Sequence, residues 1–473
     1  MQEAEIGLIG LGVMGSALAL NIAEKGFRIA VLNRNDKTTY AFKAHAGPLA
    51  DRIVTCNTMA ELAASIRPPR PIIIMITAGS PVDQVIGQLR EVLAAQDIII
   101  DAGNANFRDT MRRFEELKSS GLTFIGMGVS GGEEGARHGP SIMVGGKESS
   151  FKRVEKVLNA ISAKYRKEPC CAWLGENGAG HFVKTIHNGI EYADMQMISE
   201  VYGVMRDGLG MKANDIGVVF EKWNKGRLNS YLIKITAKVL AVTDIATKKP
   251  IVDIILDRAG QKGTGKWSVI EAQNLGIPAT TIEAAVAARV LSSMKPERER
   301  AENAYKIMRK KISGKSQAAL LKKLETALYA GKIAAYAQGF AVMEQASKEF
   351  SWNLPLGTIA KIWREGCIIR SQFLGLITQA FEKNGGKGNL LLAPAFLKMM
   401  QASHKDLRSI VAQAAVAGSP APALSSALGY FDSYRQARGT ANLIQAQRDF
   451  FGAHGFERIG ETGAHHGPWA GTT

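Results

Sequence analysis

Cysteine is scarce in this chain: Cys56, Cys170, Cys171 and Cys367 are all there is among 473 residues, and no two form a C-x-x-C pair. Adjacent Cys170 and Cys171 make a poor structural staple. The set argues for a reducing, cytoplasmic compartment and against a disulfide framework or a zinc site. Long apolar runs are missing too. Pro71–Ile76 and Ile98–Ile100 are far too short to cross a bilayer, so no membrane association is expected. A strand predicted from Glu5 leaves no room for a signal peptide. The net charge is +16, yet no long basic run or basic tail accompanies it. Such dispersal argues against a dedicated nucleic-acid surface and suits small polyanions better.

What is present begins with Glu5–Ile9, an apolar strand leading directly into Gly10-Leu11-Gly12-Val13-Met14-Gly15 and a helical pattern to Lys25. This is G-x-G-x-x-G between a strand and a helix, where glycines let a pyrophosphate approach the helix N-terminus. A second strand, Arg28–Leu32, follows at the right distance. At its end a carboxylate would hold the ribose of NAD. Here stand Asn33, Arg34 and Asn35 instead, with Lys37 close by, so the coenzyme read is NADP. Asp36 is expected to cap the next helix. Further β/α units place Thr77, Ala78 and Gly79, and Asp101 to Asn104, at the carboxyl edge of a parallel sheet, where ligands bind. The glycine-rich run from Gly126 to Arg137 suggests backbone wrapped around a ligand.

The stretch His181 to Gln196 reads HFVKTIHNGIEYADMQ. On a helix Lys184, His187, Asn188 and Glu191 fall at i, i+3, i+4 and i+7, one stripe of roughly 10 Å. Phe182, Val183, Ile186, Ile190 and Tyr192 leave little room for a solvated face. The grouping points to acid–base chemistry.

From about Gly178 helical periodicity dominates, with a faint repeat at a spacing near 138–140 residues. Tyr192-Ala193 recurs as Tyr329-Ala330, and Trp223-Asn224-Lys225-Gly226 as Trp363-Arg364-Glu365-Gly366. Only the first copy keeps the Lys-His-Asn-Glu stripe, so only it should be catalytic. Between the copies, Gly260 to Trp267 nearly matches a Walker A loop, but Trp267 stands where magnesium needs Ser or Thr. This argues against a P-loop NTPase, while the glycine-freed amides with Lys262 and Lys266 still suit a phosphate, and Arg289 could add a contact. The expected organisation is a dinucleotide-binding domain over 1–177, an all-helical domain with an internal duplication over 178–435, and a tail over 436–473. The tail holds a short helix, Gly439 to Phe450, then glycine- and histidine-rich sequence expected to be disordered. His465-His466, without partners, makes a weak metal site, and none is expected.

Taken in order, GLGVMG, the Asn33-Arg34 pair, GVSGGEEGARHGPSIM, KTIHNGIEYADMQ, GQKGTGKW and QRDFFGAH resemble the 6-phosphogluconate dehydrogenase family, decarboxylating NADP enzymes of the pentose phosphate pathway. The resemblance runs almost end to end. It implies an α/β Rossmann domain, a large all-α domain with a duplicated unit, and a tail reaching across a homodimer into the partner's active site. By motif match it places the catalytic pair on Lys184 and Glu191. Substrate contacts fall on Asn104, Ser130, Gly131, Gly132, His187, Asn188, Tyr192, Lys262 and Arg289, with Arg448 and His454 from the tail. The coenzyme would lie against Gly10 to Gly15, Asn33, Arg34, Asn35, Thr77, Ala78, Gly79 and Asn104. The sequence departs from the family where Thr77 replaces a lysine, Asn35 a threonine, and Ala102 the first glycine of DGGN; two of these fall in the coenzyme pocket.

The implied substrate is a phosphorylated sugar acid with a hydroxyl on the carbon beta to its carboxylate. Lys184 can take the hydroxyl proton only if burial, or a cationic neighbour such as His187, lowers its pKa well below the usual ~10.4. The resulting ammonium would promote loss of carbon dioxide, and Glu191 would protonate the enediol. A non-decarboxylating β-hydroxyacid dehydrogenase would share the first domain and a similar lysine, but would not explain the duplicated half, the KGTGK cradle or the tail. A non-enzymatic dinucleotide sensor need not keep Lys184 and Glu191 seven apart.

Overall fold

Isoleucine-rich tetrapeptides set the first layer. Ile6–Ile9, Ile29–Leu32, Pro71–Ile74 and Ile98–Asp101 are buried at every position, as expected of parallel strands covered by helices on both faces. The computed structural model describes residues 3–261, 263–312, 316–383, 385 and 387–469. In chain order its strands are β1 (Ile6–Ile9), β2 (Ile29–Leu32), β3 (Ile53–Cys56), β4 (Pro71–Ile74), β5 (Ile98–Asp101), β6 (Thr123–Val129), β7 (Ile142–Gly146), β8 (Lys164–Tyr165), β9 (Glu168–Pro169) and β10 (Cys171–Gly175). Eight of them form one sheet in the order β10-β7-β6-β5-β4-β1-β2-β3, and β8 pairs with β9 alone. From β3 to β6 the order is that of a dinucleotide-binding Rossmann sheet, all parallel. Then β7 returns antiparallel to β6, and β10 runs parallel to β7. Strands β3, β7 and β10 were not expected from the sequence; β7 ends in two glycines, and β10 draws its pairing from β7, far off in the chain.

The first helix, Val13–Glu24, starts at Gly12 directly after β1. Asn35, not Asp36, caps the helix Asp36–His45: its side chain accepts from the Lys37 amide at 3.0 Å, and Asp36 is the first helical residue. The expectation for Asp36 was one position late, because Asn supplies the same acceptor oxygen.

The centre of the molecule is the helix Ala179–Gly203, buried around most of its circumference. Its first turn lies directly on the sheet. A Cβ at Gly180 would stand 2.5 Å from the Gly126 carbonyl, the Gly145 amide and the Met143 carbonyl. Side-chain-free backbone on both partners is what permits that approach. The helix runs into a π-turn at Val204–Gly208, then come Ala213–Trp223 and Tyr231–Leu240. The second half repeats this order with Gln317–Glu349, Leu356–Ile362 and Phe373–Lys383. Ser230 and Ser371, equivalent in the two copies, meet in an antiparallel bridge. No helix among the described residues is long and apolar enough to cross a membrane.

The tail corrects an expectation. Its helix is Ala441–Gly452, and the sequence from there to Trp469 is ordered about one buried carboxylate. Asp449 accepts from the Gly455 amide at 2.8 Å, His466 Nδ1 at 2.7 Å, the Gly467 amide at 2.9 Å and Trp469 Nε1 at 2.9 Å. These bonds hold Asp449 down at about pKa 2, the Gly467 amide foremost. Composition predicted disorder because it cannot register one acceptor gathering four donors.

Candidate active site

The Lys-His-Asn-Glu stripe sits on the central helix where it passes the carboxyl end of β6. Lys184 is only 7% exposed. Its stem lies across Gly128, where a Cβ would come within 2.6 Å of Lys184 Cβ. The amine donates to Asn188 Oδ1 at 2.8 Å and to Ser130 Oγ at 3.2 Å. Ser130 follows β6 directly, so the strand delivers it to the helix. His187 lies between the same two groups, Nε2 3.4 Å from Ser130 Oγ and Nδ1 3.1 Å from Asn188 Oδ1. Asn188 spends its own N–H on Thr264 Oγ1 at 2.9 Å. Glu191 Oε2 is 3.7 Å from His187 Nδ1. Four side chains expected to share a face do share one, joined by Ser130 and Thr264 from two other elements.

Burial sets the electrostatics. It holds the Lys184 amine below its ordinary range against the pull of Glu191. It pushes the imidazole of His187 well below its usual value, with the Lys184 charge adding to the effect. It raises Glu191, opposed by Lys184 and Arg289. Desolvation, and not a cationic His187, therefore depresses the lysine. The result is a base made weaker than a free amine and an acid made weaker than a free carboxyl, seven residues apart.

Other residues named from the sequence surround the stripe at varying distance. Gly131 and Gly132 adopt φ of +105° and +64° at the start of Gly132–His138. A Cβ at Gly131 would meet the Gly366 carbonyl at 2.6 Å, so this glycine is required. The Arg289 guanidinium stacks 3.7 Å from the Tyr192 ring centroid, and Gly265 lies under that same ring. Thr264–Asn274 is the helix that the GTGK sequence opens; Lys262 lies outside the described residues. Arg448 and His454 are not brought to the stripe. Both are exposed on the tail, Arg448 bonded to Gln445 and His454 against the Phe451 ring.

Farther along the same carboxyl edge, after β1, β2 and β4, the dinucleotide signature is in order. Gly10 has φ of +101°, and a Cβ there would strike the Met75 carbonyl at 2.5 Å; one on Gly15 would strike the Gly10 carbonyl at 1.8 Å. Leu11, Gly12, Val13 and Met14 complete the turn. Asn33 Oδ1 accepts from the Leu11 amide at 3.0 Å, tying the end of β2 to it. Arg34 and Asn35 are exposed beside it, as is Thr77 after β4, with Ala78 and Gly79 half-buried. Asn104 stands exposed past β5. Backbone amides at a helix N-terminus, an exposed guanidinium and no carboxylate at the end of β2 together fit a dinucleotide.

Sequence reasoning missed Thr264 as the partner of Asn188, though it lies within the GTGK motif. It also missed Trp363, whose ring meets His187 edge-on at 5.3 Å. Trp363 had been noted only as a repeat position; its burial carried no local signal.

Comparison with known proteins identifies the family. The chain matches the NAD binding domain of 6-phosphogluconate dehydrogenase over residues 5–175 and the 6-phosphogluconate dehydrogenase C-terminal domain over 180–469. It is 46% identical to the NADP(+)-dependent decarboxylating 6-phosphogluconate dehydrogenase of Bacillus subtilis, covering 99% of this chain and 100% of that protein. The NAD(+)-dependent enzyme of the same organism is 44% identical over 98% and 99%. The solved structure of Plasmodium falciparum 6-phosphogluconate dehydrogenase superimposes with a TM-score of 0.95 at 41% identity, covering 98% of this chain and 100% of that one. Fold, stripe and full-length likeness converge: the chain belongs to the decarboxylating 6-phosphogluconate dehydrogenases.

Proposed function

We propose that the protein oxidatively decarboxylates 6-phosphogluconate to ribulose 5-phosphate and carbon dioxide with reduction of NADP, with Lys184 as base and then acid, and Glu191 as the final acid. The observation that carries the reading is the buried Lys184 amine, held between Asn188 and Ser130 and kept below its ordinary pKa range by burial. A bound NADP would supply the hydride acceptor.

The protein's own residues account for the proton chemistry. Neutral Lys184 takes the proton of the substrate hydroxyl as the ketone forms, with its amine aimed by Asn188 Oδ1. Its ammonium then lies beside the ketone oxygen and stabilises the negative charge that develops as carbon dioxide leaves. It gives its proton to that oxygen as the enediol forms; Glu191, kept protonated longer than a free carboxyl by burial, then delivers a proton to the enediol carbon while Lys184 takes back the hydroxyl proton. Tyr192 and Arg289 hold the far end of the substrate, with Lys262. Asn104, Gly131 and Gly132 line its path, and Arg448 and His454 complete the site from the tail of a second copy in a homodimer. The functional units are 1–177, 178–435 and 436–473, and four free, buried cysteines suit a cytoplasmic enzyme.

NADP is preferred on Arg34 and on the missing carboxylate beside it, while Thr77 and Asn35 are the positions most open to NAD. The test is absorbance of reduced nicotinamide with 6-phosphogluconate, run with NADP and with NAD, while carbon dioxide is followed in the same sample. Rapid NADP reduction with matching carbon dioxide is expected. Reduction without carbon dioxide, or activity only on a short β-hydroxy acid, would refute the reading.

A further inference from the structure

Arg113 lies on the helix Phe107–Lys118 and is only 1% exposed. A buried guanidinium is costly unless every face is satisfied, and this one is. Nε and Nη2 donate to the two oxygens of Asp83 at 2.7 and 3.0 Å. Nη2 also donates to the Gly79 carbonyl at 3.0 Å, and Nη1 to Asp101 Oδ2 at 3.2 Å. The other oxygen of Asp101 accepts from the Gly103 amide at 3.0 Å. One side chain thus grips two turns at once: the one after β4 that ends in Gly79, with φ of +95°, and the one after β5 that holds Gly103 and Asn104. The turns are close already, since a Cβ on Gly103 would lie 3.2 Å from the Ile76 carbonyl. The same helix touches the central helix through Thr110 Oγ1, 2.7 Å from His181 Nδ1.

We infer that Arg113 is a positioning residue for the coenzyme, a buried bracket that sets the Thr77–Gly79 turn against the Gly103–Asn104 turn. The inference rests on the reading of these two turns as the coenzyme edge of the sheet. Only a planar fork can do this work. Lysine would restore the charge beside Asp101 but not the paired bonds to Asp83 and the Gly79 carbonyl. A merely structural Arg113, present to neutralise Asp101, would tolerate that replacement without loss of coenzyme affinity.

The experiment compares Arg113→Lys and Asp83→Ala with the unaltered full-length protein. Coenzyme Kd is measured by fluorescence titration with NADP and with NAD, alongside thermal melts and the separate KM values of coenzyme and 6-phosphogluconate. Expected is a rise of about tenfold or more in coenzyme Kd and KM, larger than the change in the KM for 6-phosphogluconate. Asp83 is partly exposed, and without it Asp101 still faces the Arg113 charge, so Asp83→Ala decides the matter if Arg113→Lys does not fold. Unchanged coenzyme Kd in the folded variants, with only the melting temperature lowered, would overturn the bracket alone. Failure of the unaltered protein to bind either dinucleotide would overturn both the bracket and the coenzyme reading beneath it.

Discussion

Asp194 and Lys332, 138 residues apart, form an ion pair in which both side chains are almost wholly buried. That separation is close to the repeat spacing, so the pair joins the two helical copies just beyond Glu191. The second oxygen of Asp194 is buried without a hydrogen bond, which leaves Lys332 as its chief compensation. Lys332→Met should destabilise the fold by about 3–5 kcal/mol, measured as denaturant unfolding free energy. Adding Asp194→Leu should restore part of the loss. A single-variant cost below about 1 kcal/mol would mean the pair is not buried in solution.

Lys184→Met keeps the stem that packs over Gly128 and removes the amine. Turnover should fall by about 10²–10⁴-fold or more, with coenzyme titration unchanged. Retained turnover would sink the role given to Lys184.

With the roles proposed for them, activity needs Lys184 neutral and Glu191 protonated, so the parent pH–rate profile should be bell-shaped. Burial lowers the first pKa and raises the second, drawing the two limbs together and enlarging the fraction in the working state. In Glu191→Gln one titration disappears. The remaining rate should only rise with pH, as Lys184 loses its proton, and then level off. A bell preserved in that variant would assign the second limb to another group.

Arg34→Ala should weaken NADP and leave NAD nearly untouched, by the loss of one charge-assisted contact worth about 1.5–3 kcal/mol. Equal losses for the two coenzymes, read from KM ratios, would remove Arg34 from phosphate recognition.

What was legible in the sequence was local. The strand, glycine turn and helix from Glu5 to Lys25 could be read because the motif and its setting are contiguous. The stripe could be read because helical spacing alone puts Lys184 and Glu191 on one side. What escaped came from contacts between distant segments: Ser130 to Lys184, Thr264 to Asn188, Trp363 to His187. Arg113 left a trace that went unread, for it falls on the face carrying Phe107, Thr110, Phe114 and Leu117, where a charged residue is out of place. The ordered tail had no such trace, since nothing about Asp449 foretells its four donors.

The bare backbone contact of Gly180 with Gly126, Gly145 and Met143 has a consequence for how this chain can change over generations. The gap between the dinucleotide edge and the lysine is set by main chain resting on main chain, with no rotamer to adjust. Substitutions scattered through either half can accumulate without altering that gap. At Gly145 and Gly180, however, a single methyl group would strike main chain and prise the halves apart, and at Gly126 and Gly128 it would strike the side chains of His181 and Lys184. Attempts to graft a new sugar-acid pocket onto this framework therefore have wide latitude along the helices and almost none at this seam.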